Sequence, residues 1–401
     1  MKYRVPVYYS DFACIGAACE DTCCRGWQIA IDEKSYESYR REPGAFGQRL
    51  RREIDHGSRT FALKGRDCAF LNEDGLCDIY RELGRDRLCR TCRTYPRHME
   101  DYGDVREVML SLSCPEAARL ILGDDSQGTW QIRQRSVGQR TEQERRNDPD
   151  PVLLSCVEET RHTIVCLIKD RSVDFYERLA MIVSYAHDVQ LHLNRILGSD
   201  YPHPKERMRR WVKRISGRYL APKAASRFLI RLEPFYGRRA ERKLRMTAWM
   251  RLLQELEPVL YHWEEKQGAV CTGLYHRRSS KEYEALERAF DREARMLEQE
   301  WENLLLYFIY SYLLGACYDE DLYGKVKLAV FSTMVIREWC MFRFGITGVL
   351  EQKDLVAASY RYSREVENSD ANLEFLETQF AENPLFHLNS MLTVLVGMGQ
   401  K

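Results

Sequence analysis

The chain has 401 residues, of which 44% are hydrophobic and 30% are charged, and its formal net charge is +1. This balance is typical of a soluble globular protein and excludes disordered and fibrous classes. The first ten residues, MKYRVPVYYS, lack the apolar segment of a secretory signal. No apolar run reaches the roughly 18–20 residues of a membrane span. We therefore expect a cytoplasmic protein that does not enter a membrane.

The first 123 residues predict a Cys-rich module built from short elements. Within it, the segment 27–32 (WQIAID) alternates like a short strand, and Asp32 is a suitable N-cap for a helix over 32–42. The other predicted elements are a helix over 46–54, a hairpin-like turn over 72–75, a helical turn ending at Gly84, and a helix over 113–123 with Pro115 in its first turn.

Residues 124–151 predict a linker or exposed loop, because they are polar, lack apolar periodicity and end with two prolines. Residues 152–401 predict a helical domain. Its clearest helices are expected at 172–198, at 282–315, where a charged half precedes an apolar half, and at 325–345, which is apolar on most sides. The expected fold class is mainly α: a Cys-rich metal-binding N-terminal module with short strands, packed on a large helical domain.

Positive charge is concentrated between Lys205 and Arg245, where fifteen Lys or Arg residues occur with three Glu residues. Solvated helix faces explain such a block most simply, and a docking surface for an acidic protein partner is the alternative. No recognisable nucleic-acid-binding motif accompanies the block, so we expect no nucleic-acid partner. These patterns leave the oligomeric state open.

Cysteine is the strongest signal in the composition, with fourteen residues in the chain. Five lie in apolar helical patterns, where a cysteine packs as a small hydrophobe. The other nine follow the spacing C-x4-C-x3-C-C, then C-x8-C-x11-C-x2-C and one more; they are Cys14, Cys19, Cys23, Cys24, Cys68, Cys77, Cys89, Cys92 and Cys114. In a reducing compartment, such a cluster predicts metal ligands rather than disulfides.

The spacing leaves two kinds of metal centre open. A structural zinc site usually shows two CxxC pairs, each of which supplies one edge of a tetrahedron, and only Cys89 and Cys92 form such a pair here. Zinc stays open because irregular sites exist and soft thiolates suit this metal. An iron–sulfur cluster also takes soft thiolates from loops, and glycines and arginines surround these thiols. The C-x3-C-x2-C motif of a radical adenosylmethionine enzyme is absent, because Gly26 stands where its third cysteine would be. Nine thiols also exceed the four that one site needs.

The strings CIGAACEDTCCRGWQIAID, CAFLNEDGLCDIY and LCRTCRTYPR closely resemble the flagellin lysine-N-methylase family. That family is related to bacterial zinc- or iron-chelating proteins with a CxxCxxCC signature. Here the first spacings are x4 and x3 rather than x2 and x2, which fits the methylase branch better. The matching motifs cover residues 12–98, and the helical remainder carries no short motif of the family.

The resemblance implies methyl transfer from S-adenosylmethionine to lysine ε-amines on flagellin, with a [4Fe-4S] cluster in the Cys-rich module and zinc as the alternative metal. The motif does not select four ligands among its thiols. Those that match it are Cys14, Cys19, Cys23, Cys24, Cys68, Cys77, Cys89 and Cys92. Cys114 is a further candidate.

Methyl transfer to lysine needs a neutral amine, although the reference pKa of lysine is about 10.4. Tyrosine hydroxyls and carboxylates in an aromatic channel meet this need, since aromatic faces also favour methylammonium cations. The segment 305–323 offers Tyr307, Tyr310 and Asp319 as catalytic candidates, with helix packing as the other explanation of the tyrosines.

The binding site of the methyl donor is not visible in the sequence. A doubly wound methyltransferase would carry a Gly-rich turn after its first strand, but the GxG at 397–399 has no helix after it. Either the donor binds in an unfamiliar helical pocket, or it contacts the cluster itself. The competing functional class is a non-catalytic iron–sulfur or metal module that acts as a redox sensor or metal chaperone, with the helical domain for docking.

Overall fold

The computed structural model describes residues 1–126, 128–134, 147–198 and 204–397. The helices of these residues are α1 (Glu33–Arg41), α2 (Gly44–Arg52), α3 (Asp78–Leu83), α4 (Arg90–Thr94), α5 (Pro115–Leu122), α6 (Pro151–Lys169), α7 (Phe175–Leu197), α8 (Pro204–Tyr219), α9 (Ala224–Leu232), α10 (Arg239–Leu252), α11 (Trp263–Cys271), α12 (Ser280–Ala294), α13 (Glu298–Tyr312), α14 (Ala316–Asp319), α15 (Leu322–Thr347), α16 (Gln352–Val366), α17 (Asp370–Glu382) and α18 (Leu388–Val396). The predicted mainly α class is confirmed.

In the described residues, the strands lie within the first 134 positions and form one larger sheet and two short hairpins. They are β1 (Lys2–Pro6), β2 (Ile54–Asp55), β3 (Thr60–Phe61), β4 (Leu63–Lys64), β5 (Asp67–Cys68), β6 (Arg97–Tyr102), β7 (Val105–Leu110) and β8 (Trp130–Gln134). The larger sheet has the order β6-β7-β1-β8, in which β1 runs parallel to β7 and antiparallel to β8. Because β1 pairs with strands more than a hundred residues away, local patterns did not reveal this sheet.

Several local predictions are confirmed, and one is wrong. The Asp32 side chain accepts the Ser35 N–H at the start of α1, and Pro115 begins α5. The predicted strand over 27–32 does not form, because its backbone makes only a single bridge, between Ala30 and Thr60.

The predicted linker over 124–151 is only partly covered by the structure. Residues 127 and 135–146 lie outside the described residues. In the part that is described, Trp130–Gln134 forms β8, so these residues join the sheet by pairing along the whole of β1.

Two hydrophobic cores organise the described chain. A small core collects apolar side chains and thiols between Cys24 and Cys92. A second and much larger core holds the helices from α6 onward, together with one face of the sheet and α5. Helix α5 buries its apolar residues against α13 and α16, and so joins the N-terminal segment to the helical domain.

Helix α15 lies at the centre of the large core, as its sequence predicts, and nearly every side chain from Leu322 to Met341 is buried. The predicted helix over 282–315 is divided by a 3-10 turn at Arg295–Leu297 into α12 and α13. Among the described helices, none combines the length and the apolar character that crossing a bilayer requires.

Candidate functional site

Five of the nine clustered cysteines belong to the small core, and the exposed Cys23 precedes one of them in the chain. We call these six residues the thiol group: Cys23, Cys24, Cys68, Cys77, Cys89 and Cys92. Interaction with Cys24 lowers the pKa of both Cys23 and Cys77, and interaction with Cys92 lowers the pKa of Cys89. The two sets interact electrostatically, because the charges of Cys23 and Cys77 help to raise the pKa of Cys92. The assignment of these thiols as metal ligands stays a prediction.

Short elements place these thiols at one end of the module. Cys68 ends β5, and its backbone N–H donates to the Cys24 carbonyl at 2.8 Å. Cys77 immediately precedes α3, and Cys89 immediately precedes α4. The indole N–H of Trp27 donates to the Cys23 carbonyl at 2.9 Å and fixes the loop that carries the vicinal pair.

The thiol group contains some cysteines whose pKa is lowered and others whose pKa is raised. The interaction with Cys24 lowers the pKa of Cys77 to about 7 and also lowers the pKa of Cys23, while the pKa of Cys24 itself is raised well above its usual value. Burial raises the pKa of the Cys68 thiol to about 12. The lowered pKa values of Cys23 and Cys77 favour the thiolate, which is the form that binds metals.

Whether a metal centre fits the module depends on the chemistry of the side chains that would bind it. In the part of the chain that the structure describes, no three His, Cys, Asp or Glu side chains are grouped in a way that could hold a metal ion. The predicted metal-binding character of the module is therefore not confirmed. All fourteen cysteines are free thiols, however, and the six soft donors of the thiol group influence one another electrostatically. Such a donor set suits zinc or an iron–sulfur cluster.

The remaining clustered cysteines lie in different surroundings. Cys14 is exposed. Cys19 interacts with Cys114 and with Arg364 of α16, and burial raises the pKa of both Cys19 and Cys114, the latter to about 11. The structure therefore separates these three from the thiol group, a division that spacing alone did not provide.

Two consecutive residues of α16 attach the module to the helical domain. Arg364, almost fully buried, donates from Nε to the Ser113 carbonyl at 2.7 Å and pairs through Nη1 with Asp21 at 2.7 Å. The Glu365 carboxylate accepts the N–H groups of Val259 and Leu260, both at 2.8 Å. These bonds hold the segment 259–261, which contacts the module.

The segment 259–261 receives the loops that surround the thiol group. The Tyr261 hydroxyl accepts the Arg66 backbone N–H at 2.8 Å. Gly26, with φ of +87°, lies so close to Val259 that a Cβ would be 2.8 Å from its side chain. A non-Gly residue at this position would combine backbone strain with a clash.

We expect Glu365 to make folding stability depend on pH. Burial raises the pKa of its carboxyl to about 7, against the opposing effect of the two N–H donors. The folded state therefore binds more protons than the unfolded state between about pH 4.5 and 7. The stabilisation is complete below the unfolded pKa and is lost as pH rises through 7, by on the order of 1–3 kcal/mol.

Urea unfolding at pH 5, 6, 7 and 8 tests this expectation. The free energy of unfolding should decline with rising pH more steeply in the wild type than in Glu365→Gln. The matched control is Glu374→Gln on the exposed face of α17, which should keep the wild-type slope. Equal slopes for the wild type and Glu365→Gln would contradict the assignment of this proton to Glu365.

A cavity of about 480 Å³ lies inside the helical domain. It is enclosed by α7, α10, α12, α13, α15 and α18, and by the segment 171–174. Its aromatic walls are formed by Phe175, Tyr176, Phe290 and Trp301. This volume is within the range of about 300–1,000 Å³ that is typical of small-molecule sites.

Buried charges line the base of the cavity. The Glu287 carboxylate is fully buried and pairs with Arg242 Nη1 at 2.5 Å and with Arg337 Nη2 at 3.3 Å. Burial raises the pKa of the Glu287 carboxyl to about 7 despite the two arginines. The Tyr176 hydroxyl accepts from Arg337 Nε and donates to Asp291 at 2.7 Å. The base is thus a network of alternating positive and negative groups.

The rim of the cavity is exposed and ionic. Arg171, Asp174, Arg288 and Arg295 all line it and reach solvent, and the Arg295 side chain is 75% exposed. A ligand therefore has a route from solvent, past charged side chains, to the buried base.

The catalytic candidates predicted from the sequence lie elsewhere. The Tyr307 hydroxyl accepts the Leu112 N–H at 3.1 Å and donates to Glu367 at 3.1 Å. The Tyr310 hydroxyl donates to the Gly128 carbonyl, and its ring packs on Trp130. Both tyrosines line a cavity of about 20 Å³, which has room for about one water molecule.

Asp319 is half-exposed at the end of α14 and pairs with Lys325 at 2.7 Å. It is not among the residues that line the cavity shared by Tyr307 and Tyr310. The catalytic role of these three residues therefore stays a prediction. The larger cavity was not identified from the sequence, although one signal was available: Arg337 and Glu338 are adjacent charges in the middle of the apolar pattern of α15.

The comparisons with known proteins give the family. A family model described as the FliB lysine N-methylase C-terminal domain matches residues 161–394, which include all six helices around the cavity except the end of α18. Because the match covers more than half of the chain, the chain belongs to the FliB lysine N-methylase family. This membership classes it as a protein-lysine methyltransferase.

Individual relatives agree with this membership. The flagellar biosynthetic protein FliU of Salmonella muenchen is 32% identical over 128 residues, which cover 30% of this chain and 76% of that protein. The lysine-N-methylases of Salmonella choleraesuis (strain SC-B67) and Salmonella typhimurium (strain LT2) are 31% identical over 128 residues, again 30% of this chain. The aligned part spans about a third of each of these two proteins, 32% of their length. No solved structure matches the chain.

Proposed function

We propose that the chain transfers a methyl group from S-adenosylmethionine to the ε-amine of lysine residues in flagellin, in the cytoplasm. The observation that carries this proposal is the match of the FliB lysine N-methylase domain to the helices that enclose the large cavity. Flagellin is proposed as the substrate because one relative is named a flagellar biosynthetic protein and two are named lysine-N-methylases.

The reaction is a direct displacement. The lone pair of the amine forms the new N–C bond as the S–C bond of the sulfonium breaks, and the sulfur keeps the bonding electrons as a neutral thioether. The amine must reach the donor without its proton, and the product ammonium is stabilised by aromatic faces. Tyr176 and Phe290 supply such faces, and the carboxylate of Asp291, partly exposed, connects the cavity to water for the departing proton.

We also propose that the thiol group holds a [4Fe-4S] cluster, with zinc as the alternative metal. Four of the six thiols would bind it, since Cys23, Cys77 and Cys89 have lowered pKa values and the other three interact electrostatically with them. When bound, such a centre supplies a cross-link among the short elements of the module. The methyl transfer itself is assigned to the residues of the cavity.

Incubation of anaerobically purified protein with methyl-labelled S-adenosylmethionine and flagellin tests the proposed activity. We expect the label on flagellin lysines, and none on flagellin whose lysines have been chemically acetylated beforehand, because an amide nitrogen is not nucleophilic. Metal analysis of the same preparation distinguishes iron with sulfide from zinc. A failure of metal-loaded protein to label any lysine would overturn the methylase assignment and favour a redox or metal-carrying role.

A further inference from the structure

The large cavity presents polar atoms that lack hydrogen-bond partners. Within the described ranges, neither carboxylate oxygen of Glu287 accepts a hydrogen bond of good geometry, although two arginines lie close to it, and the indole N–H of Trp301 has no acceptor. Both Glu287 and Trp301 line the cavity and are more than nine-tenths buried. Leaving such groups unsatisfied costs about 1–3 kcal/mol each. Because these groups lie in one accessible cavity, their presence points to a polar ligand that supplies the missing hydrogen-bond partners.

We propose that this cavity is the binding site of the methyl donor, with the Glu287 carboxylate facing its positively charged sulfonium. The inference rests on the proposed function, because it takes the donor to be a sulfonium nucleoside. The sequence left open whether the donor binds in a helical pocket or contacts the metal centre. The cavity favours the helical pocket.

The aromatic walls fit the two flat or cationic parts of such a donor. Phe175, Phe290 and Trp301 surround the space next to Glu287 and offer ring faces to an adenine base or to a sulfonium. A cation between a ring face and a buried carboxylate is held more strongly than in water, because the low dielectric raises the electrostatic attraction.

The charges at the base match a zwitterionic ligand. The donor carries a sulfonium, an ammonium and a carboxylate, so it needs both signs of charge in one site. Glu287 carries negative charge, and Arg242 presents the guanidinium for the donor carboxylate, since its Nε and Nη1 are bonded within the protein and its Nη2 remains for the ligand. Arg337, bonded through all three nitrogens, adds positive charge beside them. The cavity thus places opposite charges within a few ångströms of one another.

Titration calorimetry with two probes tests the proposal. S-adenosylmethionine carries the sulfonium, and S-adenosylhomocysteine is the same molecule with a neutral thioether. The measurement is made at pH 8, above the pKa of about 7 for Glu287. Glu287→Gln should lower the affinity for S-adenosylmethionine at least about tenfold and the affinity for S-adenosylhomocysteine about twofold or less. A merely structural role for Glu287 would weaken both probes equally.

Two further variants make the test independent of the folding of Glu287→Gln. Glu293→Gln on the exposed face of α12 removes a carboxylate outside the cavity and should leave both affinities unchanged. Ala294→Leu adds bulk to the cavity wall without changing charge and should weaken both probes. Circular dichroism and thermal unfolding show whether each variant is folded.

The outcomes separate this inference from the proposed function. Wild-type-like affinity in folded Glu287→Gln or Ala294→Leu, or an equal loss of both probes in Glu287→Gln, would overturn the cavity assignment. If this happens while the wild type still methylates flagellin, the methylase assignment stands and the donor binds elsewhere. If the wild type binds neither probe and transfers no methyl group, the proposed function itself fails.

Discussion

Replacing Cys77 by Ser is expected to abolish the metal centre that we propose for the thiol group. Cys77 has its pKa lowered by Cys24 and interacts electrostatically with Cys68 and Cys92, so its loss removes a donor that both sets of thiols share. A serine hydroxyl is a hard donor that stays protonated at neutral pH, and it cannot replace a thiolate. We expect iron and acid-labile sulfide, or zinc if zinc is the metal, to fall at least about tenfold relative to the wild type.

Two other substitutions are controls for this experiment. Cys166→Ser, on α6 and outside the cluster, should keep the wild-type metal content. Cys14→Ser should keep it as well, because the structure places Cys14 at an exposed position outside the thiol group. Full metal content in Cys77→Ser, or its loss in Cys14→Ser alone, would contradict the assignment of the centre to the six thiols.

Replacing Arg364 by Met is expected to weaken the attachment of the module to the helical domain. The change leaves Asp21 without its guanidinium partner at 2.7 Å and the Ser113 carbonyl without its donor. Breaking a buried ion pair by removing one partner costs about 3–5 kcal/mol. We expect a loss of this size in the free energy of unfolding, measured by urea denaturation.

A double-mutant cycle isolates the contribution of the ion pair. In Arg364→Met the Asp21 carboxylate keeps only the more distant Arg25, at 3.8 Å. Asp21→Asn/Arg364→Met removes that poorly paired carboxylate, so the double variant should lose less free energy of unfolding than the sum of the two single variants. Arg361→Met, an exposed neighbour on the same helix, should stay within about 0.5 kcal/mol of the wild type. A loss below about 1 kcal/mol in Arg364→Met, or strict additivity with Asp21→Asn, would show that this ion pair does not attach the module.

The elements that the sequence predicts well are those whose signals are local. Asp32 caps α1, Pro115 starts α5, and the apolar pattern around 325–345 identifies the central helix α15. Each depends on interactions within one helix or on burial along all its sides. The strand predicted over 27–32 fails because alternation alone cannot supply a neighbouring strand for it.

The candidate site likewise has one part with a local sequence signal and one part without. Cysteine is rare and chemically distinctive, so spacing alone was enough to select the module in which the six thiols meet. The cavity combines Glu287, Trp301 and Arg337, which come from three different helices, and residues of these types are common on ordinary helix faces. Only the packing of those helices brings the three residues together, so local patterns could not identify them.

The most direct test of methyl transfer is peptide mass spectrometry of flagellin coexpressed with the chain. We predict that lysine-containing flagellin peptides gain the mass of one or more methyl groups, and that coexpression with Ala294→Leu reduces this gain while Glu293→Gln does not. Unmodified flagellin lysines in the presence of abundant, folded, metal-loaded wild-type protein would contradict the assignment.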